Sequence, residues 1–147
     1  MSEPIVLSVD YSQSLEQMIV AGNYDWKNDN ITAKKFPVVG NGVEQFEAKI
    51  FHFDRNISSE KAVEAIKAAD WESGKIEHLL SFGAKFPEEQ RKYTIIALGS
   101  VAEVRGRRDV PYLSRDGAGR GLGLHWWGYD WLGRYRFLAV RKLPSAA

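Results

Sequence analysis

The sequence has no cysteine and no long apolar run, and each absence excludes a class of protein. Without cysteine there is no disulfide, no thiolate zinc site and no thiol nucleophile. The apolar runs are only a few residues long, whereas a transmembrane helix needs roughly 20 residues. The first residues, Met1-Ser2-Glu3-Pro4, lack the basic segment and apolar stretch of a signal peptide. We therefore expect a cytoplasmic protein with no membrane partner.

Histidine is scarce too, and no histidine lies at a spacing typical of a zinc site. His52, His78 and His125 are spread through the chain, and we expect each at the surface or half-buried. The glycine-rich run 117–123 looks at first like a phosphate-binding loop. It lacks the G-x-G-x-x-G spacing, the Lys-Ser/Thr pair of a P-loop and a following helix, so we interpret it as a hairpin turn that leads into a strand. The sequence predicts no metal and no cofactor.

The charges are divided unevenly along the 147 residues. Residues 1–90 carry 9 Lys and Arg against 15 Asp and Glu, and residues 91–147 carry 11 against 4. Nine of those 11 cations are arginine, whose planar guanidinium pairs with phosphates and stacks on aromatic rings. The basic region either forms a patch for a polyanion or packs beside the acidic region and neutralises it, and we favour the second explanation.

Three helices are predicted before the basic region. Ser14 and Gln17 have the S-x-x-Q form of a capping box, which predicts a helix over 14–21. Apolar residues at three- and four-residue spacing predict two more helices, over 59–70 and 75–84.

The remaining apolar segments have the two-residue period of strands. Two N-terminal strands are predicted, one over 5–9 at a sheet edge and one over 43–53. From Tyr93 onward, short apolar runs separated by glycine turns predict a four-strand antiparallel meander. The strands of the meander are 93–104, 109–114, 122–127 and 134–141.

This order of elements does not alternate as βαβ units do, so the predicted fold class is α+β. We expect a single twisted antiparallel sheet, made of the C-terminal four-strand meander and one or two N-terminal strands. About three helices should pack on one face of it. The length suits a single domain, 1–147. Within that domain, residues 1–90 form an acidic region that contains the helices, residues 91–142 form the basic meander, and residues 143–147 form a short tail.

The segment 126–131, Trp-Trp-Gly-Tyr-Asp-Trp, is the most unusual local feature. Such rings, with neighbouring arginines, can stack on bases, sugars or side chains of a partner. Strand alternation places Trp126 in the core, and we expect Trp127 or Trp131 to be at least partly exposed.

The leading hypothesis is a non-enzymatic binding or interaction module that uses this basic, aromatic surface. Its partner would be a second copy in a homodimer, another protein or a nucleic acid. The predicted binding residues are Trp127, Tyr129, Trp131, Arg134, Arg136, Arg120 and Arg115, with Arg105, Arg107 and Arg108 near the turns.

The alternative hypothesis is a small enzyme in which His125 and an aspartate form an acid–base pair. Histidine titrates near neutral pH, and a neighbouring carboxylate makes it a suitable general base. The candidate carboxylates are Asp109, Asp116 and Asp130, and the preferred partner for His125 is Asp116. This hypothesis predicts a concave pocket lined by both groups.

Several segments together resemble a known pattern. They are Gly99-Ser100, Val110-Pro111-Tyr112-Leu113, Arg115-Asp116-Gly117, the closing run 136–141 and the N-terminal segment 21–26. The pattern is similar to one that recurs in a family of small hypothetical bacterial proteins of unknown function. The resemblance covers most of the chain and implies a bacterial, cytoplasmic protein from a mobile or accessory gene pool. It implies no activity, substrate or catalytic residue.

Overall fold

The structure is a computed structural model that describes residues 5–144. The helices are α1 (Leu15–Ala21), α2 (Ser59–Ala68), α3 (Ile76–Lys85) and α4 (Glu89–Lys92). The strands are β1 (Ile5–Asp10), β2 (Trp26–Lys27), β3 (Val43–Phe51), β4 (Ile57–Ser58), β5 (Glu72–Ser73), β6 (Ile95–Ile96), β7 (Ala102–Val104), β8 (Arg107–Asp116), β9 (Gly119–Trp126), β10 (Asp130–Trp131) and β11 (Arg136–Lys142). No helix among these residues is both long and apolar enough to cross a membrane.

The three predicted helices are confirmed, and their caps explain where two of them begin. At α1 the backbone N–H of Gln17 donates to Ser14 Oγ (3.1 Å), while Ser14 N–H donates to Gln17 Oε1 (2.8 Å). This is the capping box that the sequence predicted. The hydroxyl oxygen of Ser58 accepts from the backbone N–H of Lys61 (3.2 Å) and so caps α2.

The strand predicted over 93–104 is interrupted, and the short helix α4, which the sequence pattern did not predict, precedes it. The strand β6 contains only two residues. Gln90 in α4 is buried, and its amide donates to the carbonyl oxygens of Ser114 (2.9 Å) and Gly121 (3.0 Å). These bonds to distant residues hold a helical turn that has no apolar periodicity of its own, so the sequence pattern did not reveal it.

The sheet is larger than the predicted meander and is mixed rather than wholly antiparallel. Its main strand order is β1-β3-β11-β6-β8-β9-β2, with β5 beside β11 and β7 beside β8. The β7–β8 and β8–β9 hairpins are confirmed, and β1 is the predicted edge strand. The prediction that the last strand continues the meander is wrong, since β11 lies between β3 and β6 and runs parallel to β6.

The central position of β11 follows from its side chains. Residues 137–140, Phe-Leu-Ala-Val, are all buried, so the strand needs cover on both faces. One face packs with α1 and α3 in a core that includes Leu138 and Val140. The other face packs with α2 in a core that includes Phe137 and Ala139. The prediction that the helices lie on one face is therefore wrong: they are divided between two faces of an α+β fold.

The glycine-rich run is mostly strand rather than turn. Gly117 has a positive φ of 59° in the β8–β9 turn, but the strand β9 already begins at Gly119. A Cβ at Gly123 would lie 2.5 Å from the ring of Tyr112 on the neighbouring strand. Glycine is needed there because the tyrosine ring lies directly over the backbone.

Candidate functional site

The three tryptophans of segment 126–131 differ in exposure. Trp126 is 46% exposed, so the prediction that it lies in the core is wrong. It is the last residue of β9, and its ring lies against Gly128 outside the two cores. Trp131 is 1% exposed and Trp127 is half-buried, so the expectation of partial exposure holds for Trp127 alone.

Ser59 binds Trp127 and Trp131 to the start of α2. Its buried hydroxyl accepts from Trp131 Nε1 (2.8 Å) and donates to the carbonyl oxygen of Trp127 (2.7 Å). The indole N–H of Trp127 donates to Glu60 Oε2 (2.8 Å), and this bond holds the pKa of the Glu60 carboxyl below its usual value. The polar atoms of both rings are therefore bound within the protein, and both residues join α2 to the sheet.

Arg120 lies in the interior, not on the predicted binding surface. It is 5% exposed, and its guanidinium donates to Gln90 Oε1 (3.1 Å) and to the carbonyl oxygens of Gly83 (2.8 Å) and Gly22. The guanidinium carbon also lies 4.8 Å from the ring centre of Tyr24. Arg120 thus connects α1, α3, α4 and β9, and it is not available to a partner.

Four of the other predicted arginines lie at or near the two ends of β8. Arg105, Arg107 and Arg108 surround the β7–β8 turn, where Arg107 binds Asp109 (3.0 Å). Arg115 lies at the far end of β8, about 23 Å from Arg108 at roughly 3.3 Å per residue.

A small cavity lies on the face of the sheet that carries His125. It has a volume of about 200 Å³ and is lined by Thr94, Tyr112, Ser114, His125, Trp131 and Tyr135. The imidazole of His125 packs against Tyr129 and Trp131, with ring centres 4.3 Å and 4.9 Å apart. We call this the aromatic cavity. Its wall combines ring faces with three hydroxyl-bearing residue types, so it can hold a planar polar group.

A second concave region adjoins the aromatic cavity and shares Thr94 and Tyr135 with it. It has a volume of about 290 Å³, and we call it the basic groove. Four cationic side chains line it: Arg91, Lys92, Arg115 and Arg134.

The four cations of the basic groove are not equally engaged within the protein. Arg91 binds Glu88 (3.1 Å) and Lys92 binds Glu89 (3.0 Å). Among residues 5–144, neither Arg115 nor Arg134 lies within ion-pair distance of a carboxylate. Arg115 and Arg134 are exposed and so remain available to an anion.

The sequence reasoning missed Arg91, Lys92 and Thr94. These residues lie in α4 and just after it, and the sequence had assigned the segment after Lys92 to a strand. The sequence does show two adjacent cations, Arg91 and Lys92, before Tyr93. It does not show that these cations lie beside Arg134, because that contact depends on the tertiary structure.

Arg136 is next to these two concave regions but lines neither of them. Its guanidinium carbon is 4.2 Å from the ring centre of Tyr93, and its backbone pairs with β6. It is half-buried in the sheet, so its main contact is with the protein itself.

The structure does not bring together the proposed acid–base pair of His125 and Asp116. His125 pairs with Val110, and Asp116 lies six residues further along β8, about 20 Å away at roughly 3.3 Å per residue. Partial burial lowers the pKa of His125. Among the described residues, no carboxylate lines the aromatic cavity. Asp109 is opposite Trp126, on the other face of the hairpin, where it binds Arg107.

Comparison with known proteins gives no match to this chain among family models, curated proteins or solved structures. The resemblance to small bacterial proteins and the cytoplasmic location therefore stay predictions.

Proposed function

We propose that the protein is a non-enzymatic binding module whose ligand is a nucleoside phosphate, either free or as a unit of a single-stranded nucleic acid. The base would occupy the aromatic cavity and the phosphate would lie in the basic groove. The observation that carries this proposal is the contact between the two regions, which share Thr94 and Tyr135.

The volumes support a ligand that fills both regions. Small-molecule sites usually measure roughly 300–1,000 Å³. The aromatic cavity (about 200 Å³) and the basic groove (about 290 Å³) each fall below this range, but together they lie within it. A ligand with a ring at one end and an anion at the other matches this division.

The chemistry of the two walls supports the same assignment. Stacking of a base on an aromatic side chain contributes about 1–3 kcal/mol and tolerates any base. Tyr112 and Tyr135 offer such rings, and Ser114 and Thr94 offer hydroxyls to a base edge. Arg115 and Arg134 can each form charge-assisted bonds to a phosphate.

A protein partner on the same surface has weaker support. The predicted anchors for such a partner were Trp127 and Trp131, and their indole N–H groups already donate to Glu60 and Ser59. Hot-spot residues at interfaces are usually free to enter a pocket of the partner.

Calorimetry and fluorescence anisotropy at low salt test the proposal. The ligands are a nucleoside monophosphate, inorganic phosphate and a labelled oligothymidylate strand. The doubly substituted variant R115A/R134A should bind at least tenfold more weakly than the unaltered protein, because it loses two charge-assisted contacts of roughly 1.5–3 kcal/mol each. The control R105A/R108A removes two arginines near the distant β7–β8 turn and should keep full affinity.

Comparing these ligands distinguishes a free nucleotide from a nucleic acid polymer. Tight binding of the monophosphate indicates a free nucleotide, and binding of the strand alone indicates a polymer. For the strand, each lost phosphate contact lowers the salt slope by roughly 0.7. The proposal would be refuted if neither the monophosphate nor the strand binds. It would also be refuted if the control variant loses as much affinity as R115A/R134A. Equal affinity for inorganic phosphate and the monophosphate would refute the role of the aromatic cavity.

A further inference from the structure

Trp26 is an exposed aromatic residue outside the residues that line the proposed nucleotide site. Its side chain is 46% exposed, and it belongs to neither of the two hydrophobic cores. It lies in β2, the edge strand that follows β9 in the sheet. A large, rigid aromatic ring in this position offers a face to a ligand.

The backbone on both sides of Trp26 is fixed to β9. The N–H of Asp25 donates to the carbonyl oxygen of Arg120 (2.9 Å), and its carboxylate accepts from the N–H of Arg120 (2.7 Å). On the other side, the N–H of Asn28 donates to the carbonyl oxygen of Leu122 (2.9 Å). The ring is therefore presented from a fixed strand, which reduces the entropy that is lost when a ligand binds.

Trp26 lies on the same face of the sheet as the aromatic cavity. It is opposite Gly121, and its Cε3 lies 3.4 Å from the position that a Cβ at Gly121 would take. The hydroxyl oxygen of Ser114 lies 3.7 Å from the same position, and Ser114 lines the aromatic cavity. The ring of Trp26 is therefore a neighbour of the cavity wall, because the glycine between them has no side chain to separate them.

Two aromatic rings thus pack on two glycines of the same strand. Tyr112, which lines the aromatic cavity, packs on Gly123, and Trp26 packs on Gly121. Residues two apart on a strand share a face and are about 7 Å from each other at roughly 3.3 Å per residue. The two rings therefore offer positions for two neighbouring bases rather than for one.

The charges around Trp26 favour a base over a phosphate at this position. Asp116 is exposed, and its Cβ lies 3.4 Å from the same position at the glycine that Trp26 contacts. Lys27, the next residue along β2, pairs with Asp29 (3.8 Å). The arginines that are available to an anion line the basic groove instead. We therefore expect phosphate in the basic groove and an uncharged ring on Trp26.

We propose that Trp26 is the stacking position for a second base, so that the ligand is a single-stranded nucleic acid of at least two nucleotides. This inference rests on the proposed function, because it extends the ligand from the aromatic cavity along β9. The first base occupies the aromatic cavity, its phosphate lies in the basic groove, and the neighbouring base stacks on the exposed ring of Trp26. Stacking of this kind tolerates any base, so we expect little sequence preference at this position.

Calorimetry with deoxyadenosine monophosphate and the phosphorylated dinucleotide of deoxyadenosine tests the proposal. The dinucleotide should bind the unaltered protein about fivefold to hundredfold more tightly than the monophosphate, which is the range expected for one stacked base. A dinucleotide that lacks one of its two bases keeps both phosphates. It should lose most of this gain, because the gain comes from the second base.

Three variants locate the second base. Trp26→Leu keeps an apolar side chain on Gly121 and should bind the dinucleotide little more tightly than the monophosphate, with an unchanged salt slope because no phosphate contact is lost. Trp26→Phe keeps a ring and should restore most of the gain. Trp126→Leu changes a tryptophan that is equally exposed, at 46%, on the other face of the sheet, and it should leave both affinities unchanged.

The outcomes separate this inference from the proposed function. Equal affinities of the unaltered protein for the two ligands would overturn the role of Trp26, while binding that depends on Arg115 and Arg134 would stand. The same loss for the monophosphate as for the dinucleotide in Trp26→Leu, or an equal loss in Trp126→Leu, would overturn it too. Absence of binding by both ligands at millimolar concentration would remove the proposed function and this inference together.

Discussion

Acid should destabilise this protein through His78. The sequence placed this residue at the surface or half-buried, but it is 4% exposed. Burial lowers the pKa of His78 to about 4 in the folded state, from about 6.5 in the unfolded chain. Between these two pH values the unfolded chain binds a proton that the folded protein does not bind. The free energy of unfolding therefore decreases as pH falls through this window, and it is unaffected by His78 above about pH 6.5.

The size of the effect follows from the two pKa values. Each pH unit between 6.5 and about 4 contributes roughly 1.4 kcal/mol, so the loss approaches about 3 kcal/mol at the acid end. The free energy of unfolding of a domain is usually roughly 5–15 kcal/mol, so this loss is a large share of the total stability. Protonation also removes the Nδ1 acceptor for Lys75 N–H, so the bond at the start of α3 is lost at the same time.

Urea unfolding at a series of pH values between neutral pH and pH 4 measures this loss. The informative variant is His78→Gln, since a glutamine can accept from the Lys75 backbone as Gln17 does at α1 but does not titrate. As pH falls from neutral to about 4, the free energy of unfolding of His78→Gln should decrease by about 3 kcal/mol less than that of the unaltered protein. Partial burial also lowers the pKa of His125, so His125→Gln is measured alongside to separate its share. Parallel pH profiles for the unaltered protein and His78→Gln would show that this reasoning is wrong.

Two further substitutions test the structural roles of residues that the sequence had assigned to binding. Arg120→Ala leaves three buried acceptors without their donor and should lower the free energy of unfolding by about 3 kcal/mol or more; a loss below about 1 kcal/mol, measured by urea unfolding, would contradict its interior role. Ser59→Ala leaves Trp131 Nε1 and the Trp127 carbonyl unsatisfied and should cost about 2–4 kcal/mol. Near-ultraviolet circular dichroism should show altered tryptophan packing in Ser59→Ala, and an unchanged spectrum with unchanged stability would contradict the assignment.

The local sequence was sufficient for features that depend on neighbouring residues. The S-x-x-Q pattern predicted α1 because both bonds of a capping box join residues three apart. The β8–β9 hairpin was predicted because a turn fixes the pairing of the strands on either side. The glycine run was assigned to the turn because its spacing does not show that the ring of Tyr112 lies over Gly123.

The candidate site was less predictable because residue type does not show what a side chain binds. Trp131 and Arg120 were sequence candidates for a partner, yet Ser59 and three acceptors from other elements engage them inside the fold. His125 lines a concave region, but its proposed partner Asp116 lies at the other end of the hairpin, so the predicted pocket lined by both groups is not formed.

The sequence by itself determined the three longer helices, the hairpins and the concentration of arginine in the last third of the chain. Tertiary structure alone decided that β11 enters the middle of the sheet, parallel to β6, and that helices cover both faces. It also decided which cations line the basic groove beside the aromatic cavity, since Arg91 and Arg134 are far apart in sequence. The physical reason is that capping and turns act over a few residues, whereas strand order and burial depend on how distant apolar surfaces pack together.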